Sequence, residues 1–336
     1  MRDGLNDTNP SHDVEPMLPA LVLTAGLATR LRPLSLVRAK AALPVAGVPL
    51  VERIIRTLTS AGLQDLVLNL HHLPQTVTAL VGDGAHLGAR VRYSWETVLL
   101  GSAGGPRRAL PIIDGSPFLI VNGDTLTNVN LMALVEAHAR SGADVTMAVA
   151  PNREPMKYGG VRVGNDGVVT GFTRRGSTEP SCHFIGVQVA NAAAFASVPD
   201  GVPYESVVAL YPAILRERPG AIRAFVSNAE CLDIGTPSGY LRTSLLLARR
   251  EGHETALAPS VRVGTGATVV DSVLWEGVTV GEGAQLERCV ATDGVAVPPG
   301  STWSDVTIRV ASGTLVPGET RSGVLAVMPL SVLGNP

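Results

Sequence analysis

The sequence predicts an α/β protein in two parts: a Rossmann-like, mixed but mostly parallel sheet covered by helices, then a small left-handed parallel β-helix. Three observations carry the prediction. From Pro19 onward, short apolar runs alternate with longer segments of helical period. Near position 250 the alternation gives way to a polar, charged stretch. Beyond it a glycine-rich pattern recurs every 17 residues.

In chain order, strands are expected over 20–24, 65–70, 91–94, 118–121 and 145–149, with helices over 49–61, 73–81, 103–110 and 131–141 between them. Such alternation is what a parallel sheet with covered faces requires. Pro49 at a first helical turn, where its missing N–H is no loss, and Gly62 just past the end are start and stop signals. Between Gly159 and Val189 the strands shorten around an Asn165-Asp166-Gly167 turn, which predicts antiparallel additions to the same sheet. Helices over 204–217 and 237–250 complete a domain spanning 18–252. Residues 1–17, polar and carrying Asp3, Asp7, Asp13 and Glu15, read as a disordered tail, with Met17 an equally good start.

The repeat begins at Val261, Val278 and Val295, each 17 residues after the last. A β-helix coil of three hexapeptides needs about 18 residues, with small apolar side chains inward and glycine at the corners. One side of each coil is therefore a residue short. Val263 to Val269 and Val280 to Leu286 keep the six-residue step, which predicts a short β-helix within 255–325. A β-meander with glycine turns is the alternative.

The net charge of −2 argues against a protein that coats nucleic acid, which needs a basic surface to release counterions. No apolar stretch is long enough to span a membrane, and the N-terminus lacks a signal-peptide pattern. Cys182, Cys231 and Cys289 are scattered and odd in number, which suits a reducing cytoplasm better than a disulfide framework or thiolate metal site.

Against this mildly acidic background one segment is locally basic. No acid occurs from Pro16 to Val51, yet Arg30, Arg32, Arg38 and Lys40 all do, a plausible setting for a polyphosphate. The run Leu23-Thr24-Ala25-Gly26-Leu27-Ala28-Thr29-Arg30 follows the first strand, where a parallel sheet presents ligands. Its small residues let backbone N–H groups approach phosphate oxygens, and the planar fork of Arg30 can bridge several of them.

That run continues through Leu31-Arg32-Pro33-Leu34 and on to Lys40-Ala41-Ala42-Leu43-Pro44-Val45-Ala46-Gly47-Val48-Pro49. Together these resemble the sugar-phosphate nucleotidylyltransferases, whose motif reads Gly-x-Gly-Thr-Arg-Leu-x-Pro-Leu-Thr followed by Lys-Pro-x-x-Pro-Val-x-Gly-x-Pro. The resemblance covers most of 18–250 and implies a glycosyltransferase-A-like sheet. It implies that Leu23, Ala25, Gly26 and Leu27 bind the nucleotide and that Arg30 and Lys40 are catalytic. Ala28 departs from the motif's second glycine and Ala41 from its proline. If position 28 needs a left-handed backbone, alanine there costs about 1–2 kcal/mol.

Gly101-Ser102-Ala103-Gly104 resembles the Leu-Gly-Thr-Ala-Gly segment that holds the nucleobase, and with Asn122 and Gly123 it would complete the nucleotide site. Asp124, at the end of an apolar run, and Asp233 resemble the two aspartates that share Mg²⁺; on their own, each could equally cap a turn or helix. Gly159, Gly186 and Arg175 match the segments facing the sugar and its phosphate. Arg174 stands where glutamate is common and cannot accept a hydrogen bond from a sugar hydroxyl. His71 and His72 read as structural, since neighbours on an extended chain point apart.

The resemblance thus implies an NDP-sugar made from a nucleoside triphosphate and a sugar 1-phosphate, with GTP and mannose 1-phosphate or a related sugar as the pair. Mg²⁺ would be the cofactor, and the β-helix a possible homo-oligomer contact. The alternatives are uridylyl transfer to another sugar 1-phosphate and a non-catalytic relative that binds nucleotide sugar and regulates a partner. An acyltransferase on the β-helix is disfavoured because 255–336 contains no histidine to act as base.

Overall fold

The computed structural model describes residues 18–330; the tail expected over 1–17 lies outside them. A nine-stranded sheet forms the centre of the larger part. Its strands are β1 (Ala20–Leu23), β2 (Asp65–Leu70), β3 (Arg90–Trp95), β4 (Phe118–Asn122), β5 (Val145–Pro151), β6 (Gly160–Val163), β7 (Val169–Thr173), β8 (Cys182–Ala190) and β9 (Ile222–Val226). The helices are α1 (Leu50–Ser60), α2 (Pro74–Val81), α3 (Gly101–Ala109), α4 (Leu131–Ser141), α5 (Tyr211–Glu217) and α6 (Pro237–Arg250).

β1 pairs in parallel with β2 on one side and β4 on the other, and β2 pairs in parallel with β3. β8 runs antiparallel between β4 and β5, and β9 is parallel to β5. β6 and β7 form the hairpin expected around Asn165-Asp166-Gly167. The sheet is therefore mixed. Because the chain leaves β1 toward β2 and later returns to its other side at β4, strand order reverses there. The carboxyl ends of β1 and β4 border the crevice in which such sheets bind ligands.

Burial explains the elements. α1 buries Leu50, Val51, Ile54, Ile55 and Leu58, one stripe at helical period, each contributing about 1.5–3 kcal/mol. Central strands read as continuous apolar runs because helices cover both faces: Ala20, Leu21 and Val22 are all buried. One expected helix differs. Over 204–217 the chain first makes a π-helical stretch, Ser206–Leu210, and only then α5.

The C-terminal part is a parallel β-helix whose three faces share one register. Ala256 pairs with Val273, Thr268 with Gln285 and Thr279 with Ala296, each a displacement of 17 residues. The short side lies between the strands Thr268–Val270 and Val273–Leu274. Its corner is turned by one residue per coil in the left-handed region: Asp271 (φ 46°), Arg288 (φ 50°) and Asp305 (φ 54°). A single such residue turns the chain more tightly than the corners at Gly266 and Gly283, which accounts for the missing residue. The stack ends in an antiparallel pairing of Val306–Val310 with Leu325–Pro329, beside a buried fork between Arg309 and Glu319. α6 joins the two parts: Tyr240, Leu241 and Leu245 share one core with Val273, Trp275 and Val290. Among the described residues, no helix is long and apolar enough to cross a membrane.

Candidate active site

The loop after β1 and the end of β4 enclose a cavity of about 300 Å³ lined by Leu23, Gly26, Arg30, Lys40, Gly123 and Asp124, with Asn122 at its edge. Gly123 is glycine of necessity, because a Cβ there would sit 2.3 Å from the Leu23 carbonyl oxygen that its own N–H bonds at 2.8 Å. The two strand ends are thereby fastened together under the site.

Ala28 lies in the left-handed region, at φ 47° and ψ 46°. Its carbonyl accepts from the Leu31 N–H at 2.9 Å and the Ser35 hydroxyl at 2.9 Å, fixing the turn that presents Arg30. The position does demand the conformation that alanine resists, and two hydrogen bonds offset the strain. Ala25 is buried beneath the loop, while Leu27 is exposed on it.

Two lysine–aspartate pairs stand at the mouth. Lys40 Nζ lies 2.6 Å from Asp124 Oδ2, and Lys157 Nζ lies 2.8 Å from Asp233 Oδ2. Arg30 belongs to the same group: a Cβ on Gly235 would lie 2.9 Å from Asp233 Oδ1 and 3.6 Å from the Arg30 guanidinium. Burial would raise the Asp233 carboxyl, but the Lys157 hydrogen bond and charge, the Gly235 N–H and the Lys40 charge hold it below the usual value. Cys231 is pushed up to about 11 by burial and by the charges of Asp124 and Asp233, so its thiol is neutral between them. Among the described residues, no three His, Cys, Asp or Glu side chains cluster as a metal cage. Two hard carboxylates without further protein ligands fit Mg²⁺, which commonly takes one or two carboxylates and completes its shell with phosphate oxygens and water.

Other expected residues are placed differently. Arg38 leaves the basic segment altogether: its Nε and Nη2 fork onto Asp293 at 2.7 Å each, with Glu276 as a second partner and the Trp275 ring beneath. Local positive charge therefore overstated the phosphate site. The Gly101–Gly104 turn opens α3, yet its amides are engaged within the protein. The Ala103 and Gly104 N–H groups donate to Tyr204 O, and the Ser102 N–H and hydroxyl donate to Glu205 Oε2. Gly186 (φ 79°) packs against Thr125, and Gly159 backs onto Thr173 O. Arg175 is exposed, its Nε donating to Met156 O at 3.0 Å. His71 and His72 each donate to a backbone carbonyl, of Glu96 and Ser35 respectively.

Two residues not singled out from sequence organise the site. Lys157 carries no signal there beyond its place beside Tyr158-Gly159. Glu96 is buried and accepts from Asn69 Nδ2 at 2.6 Å and the Leu100 N–H at 2.9 Å, while Asn69 Oδ1 accepts from the Thr24 N–H at 2.6 Å. This relay ties the loop after β1 to the turn before α3, and only the fold brings its members together.

A family model described as nucleotidyl transferase matches residues 19–249. The chain belongs to this nucleotidyltransferase family. A second model, a GlmU-like C-terminal hexapeptide, matches residues 247–303 of the transferase. The transferase is 29% identical over 252 residues to a mannose-1-phosphate guanylyltransferase of Mycobacterium tuberculosis, covering 75% of this chain and 69% of that one. It is 39% identical over 117 residues to an N-acetylmuramate alpha-1-phosphate uridylyltransferase of Neisseria meningitidis, covering 34% and 51%. HddC from Yersinia pseudotuberculosis, solved in complex with GMP-PN, shares the fold at a TM-score of 0.60 and 22% identity, over 69% of this chain and all of that one.

Proposed function

We propose that this transferase makes an NDP-sugar by in-line attack of a sugar 1-phosphate oxygen on the α-phosphorus of a nucleoside triphosphate. One P–O bond forms as the bond to the β-phosphate breaks, and the electron pair leaves on pyrophosphate. The attacking phosphate is already ionised, so no protein nucleophile or base is needed. The observation that carries the reading is the convergence of Arg30, Lys40, Asp124 and Asp233 at the strand-order reversal. Arg30 forks onto phosphate oxygens and stabilises charge developing at the α-phosphate, and Lys40 holds the α-phosphate or the leaving group. Asp124 and Asp233 would hold Mg²⁺, which supplies neutralisation of the triphosphate charge. The small residues at Gly26 and Gly123 let the nucleotide approach the backbone.

GTP and mannose 1-phosphate are the proposed substrates, supported by the similarity to the mannose-1-phosphate guanylyltransferase. The higher identity over a shorter stretch, 39% over 117 residues, to a uridylyltransferase favours UTP with another sugar 1-phosphate as the second reading. A cytoplasmic location is proposed from three unpaired cysteines and the need for a nucleoside triphosphate. Homo-oligomer contacts are assigned to the β-helix, whose Val263 and Val270 face outward.

The test supplies Mg²⁺, each of the four nucleoside triphosphates and a panel of sugar 1-phosphates, and measures pyrophosphate. Release with GTP and mannose 1-phosphate supports the first reading, and release with UTP alone the second. Nucleotide binding with no release from any pair would sink both and leave a regulatory relative.

A further inference from the structure

We infer that the turn after β2, His72 to Thr76, aims both phosphate-binding cations: His72 positions Arg30, and Thr76 positions Lys40. The inference rests on the transfer reaction proposed above and deepens it. Arg30 is exposed, so the short helical turn that carries it, Thr29–Leu31, sets its reach. That turn begins at Ala28, whose carbonyl accepts from the Ser35 hydroxyl at 2.9 Å. Ser35 is buried, and its own carbonyl accepts from His72 Nε2 at 2.8 Å. A line of hydrogen bonds therefore runs from the imidazole to the base of the Arg30 turn.

Thr76 does the same for the second cation. Its Oγ1 accepts from the Ala39 N–H at 3.1 Å and donates to Leu73 O at 2.7 Å. Ala39 is fully buried and directly precedes Lys40. Its amide has no water to turn to, so Thr76 fixes the backbone from which the lysine leaves to reach Asp124 at 2.6 Å.

The turn makes both contacts under strain. Leu73 lies in the left-handed region, at φ 44° and ψ 50°, which a side chain resists. It is held there because its side chain packs on the core that also carries Ala28, Leu31 and Leu34. The bend leaves His72 against Ser35 and sets Thr76, in the first turn of α2, against Ala39. Strain that the surroundings enforce gathers where geometry serves function, and here the turn stands at the carboxyl end of β2, beside the loop after β1. Both residues end on backbone atoms of the segments that bear the cations, so each acts through another residue and is a positioning residue.

The experiment is a pair of double-mutant cycles read by single-turnover pyrophosphate release, with Mg²⁺ and a substrate pair that wild type turns over. Each variant is first checked for native melting. His72→Ala should lower the saturated rate about tenfold, as expected for a slightly misplaced catalytic group, with half-saturating nucleotide unchanged within about twofold. His72→Gln, which keeps a donor near the same reach, should recover most of the rate. In the Arg30→Ala background His72→Ala should cost less than about twofold, because the group it aims is gone. Thr76→Val should behave in the same way against Lys40→Ala, and Thr76→Ser should restore the rate. If His72→Ala does not fold, Thr76→Val, which keeps the shape, decides in its place. Unchanged rates, or equal losses with and without the cation that each residue aims, overturn the inference while the transfer reading stands. No pyrophosphate from wild type with any substrate pair removes both.

Discussion

Arg38 grips Asp293 with two parallel hydrogen bonds of 2.7 Å, fastening the segment that carries Lys40 to the β-helix 255 positions later in the chain. The guanidinium lies over Trp275, whose indole N–H donates to Tyr240 Oη at 2.8 Å, and Tyr240 in turn donates to Pro44 O. Both ends of the lysine segment are therefore held from the C-terminal side. Asp293→Asn keeps the shape but removes the charge, and should cost about 1.5–3 kcal/mol, the range for a hydrogen bond to a charged group. Urea unfolding reads the loss; a change under about 0.5 kcal/mol, typical of surface substitutions, would show the fork to be idle.

Ala28 is strained and glycine would not be. Relief of the left-handed penalty is about 1–2 kcal/mol, against about 0.4–1 kcal/mol for the added freedom of the unfolded chain. Ala28→Gly should therefore stabilise by about 0.5–1 kcal/mol and leave transfer at least as fast. A lower melting temperature would mean that the alanine methyl packs better than its backbone suffers.

Arg30 provides the sharpest kinetic prediction. A donor aimed at charge developing in the transition state is worth about 100-fold in rate, so Arg30→Ala should lower kcat by about that factor. Single-turnover pyrophosphate release checks it, and an unchanged rate would contradict the assignment.

Much of this was legible from residue order alone. The strand–helix alternation and the 17-residue repeat are local periodicities, and they survive folding because each reflects what one element buries. Asp124 and Asp233 were legible through motif resemblance. The Lys157–Asp233 pair and the Glu96 relay were not, since their partners lie 76 and 27 positions away in sequence and depend on the order of strands. Arg38 misled because local charge is silent about where a long side chain points; its acidic partners come from the β-helix.

Glu96→Gln tests the relay that connects the loop after β1 to the turn before α3. Both carboxylate oxygens accept hydrogen bonds, one from Asn69 and one from the Leu100 N–H, so replacing either by an amide NH₂ sets donor against donor. The loss should be about 1–3 kcal/mol of stability, the cost of leaving a buried donor unsatisfied. Since Asn69 also holds the Thr24 N–H, the variant should weaken nucleotide binding as well.

His138 makes stability depend on pH. Its imidazole is buried, bonded to Thr146 Oγ1 at 2.9 Å, and burial holds its pKa below the ordinary 6.5 despite the opposing pull of Asn191. The unfolded chain therefore binds a proton near pH 6.5 that the folded protein refuses. Stability is full above that value and falls as pH drops toward the depressed folded value. Melting temperature should decline as pH falls below the ordinary histidine value of about 6.5, and the decline should be shallower in His138→Gln, which has nothing to titrate there. Equal slopes in the two proteins would assign the pH dependence to other groups.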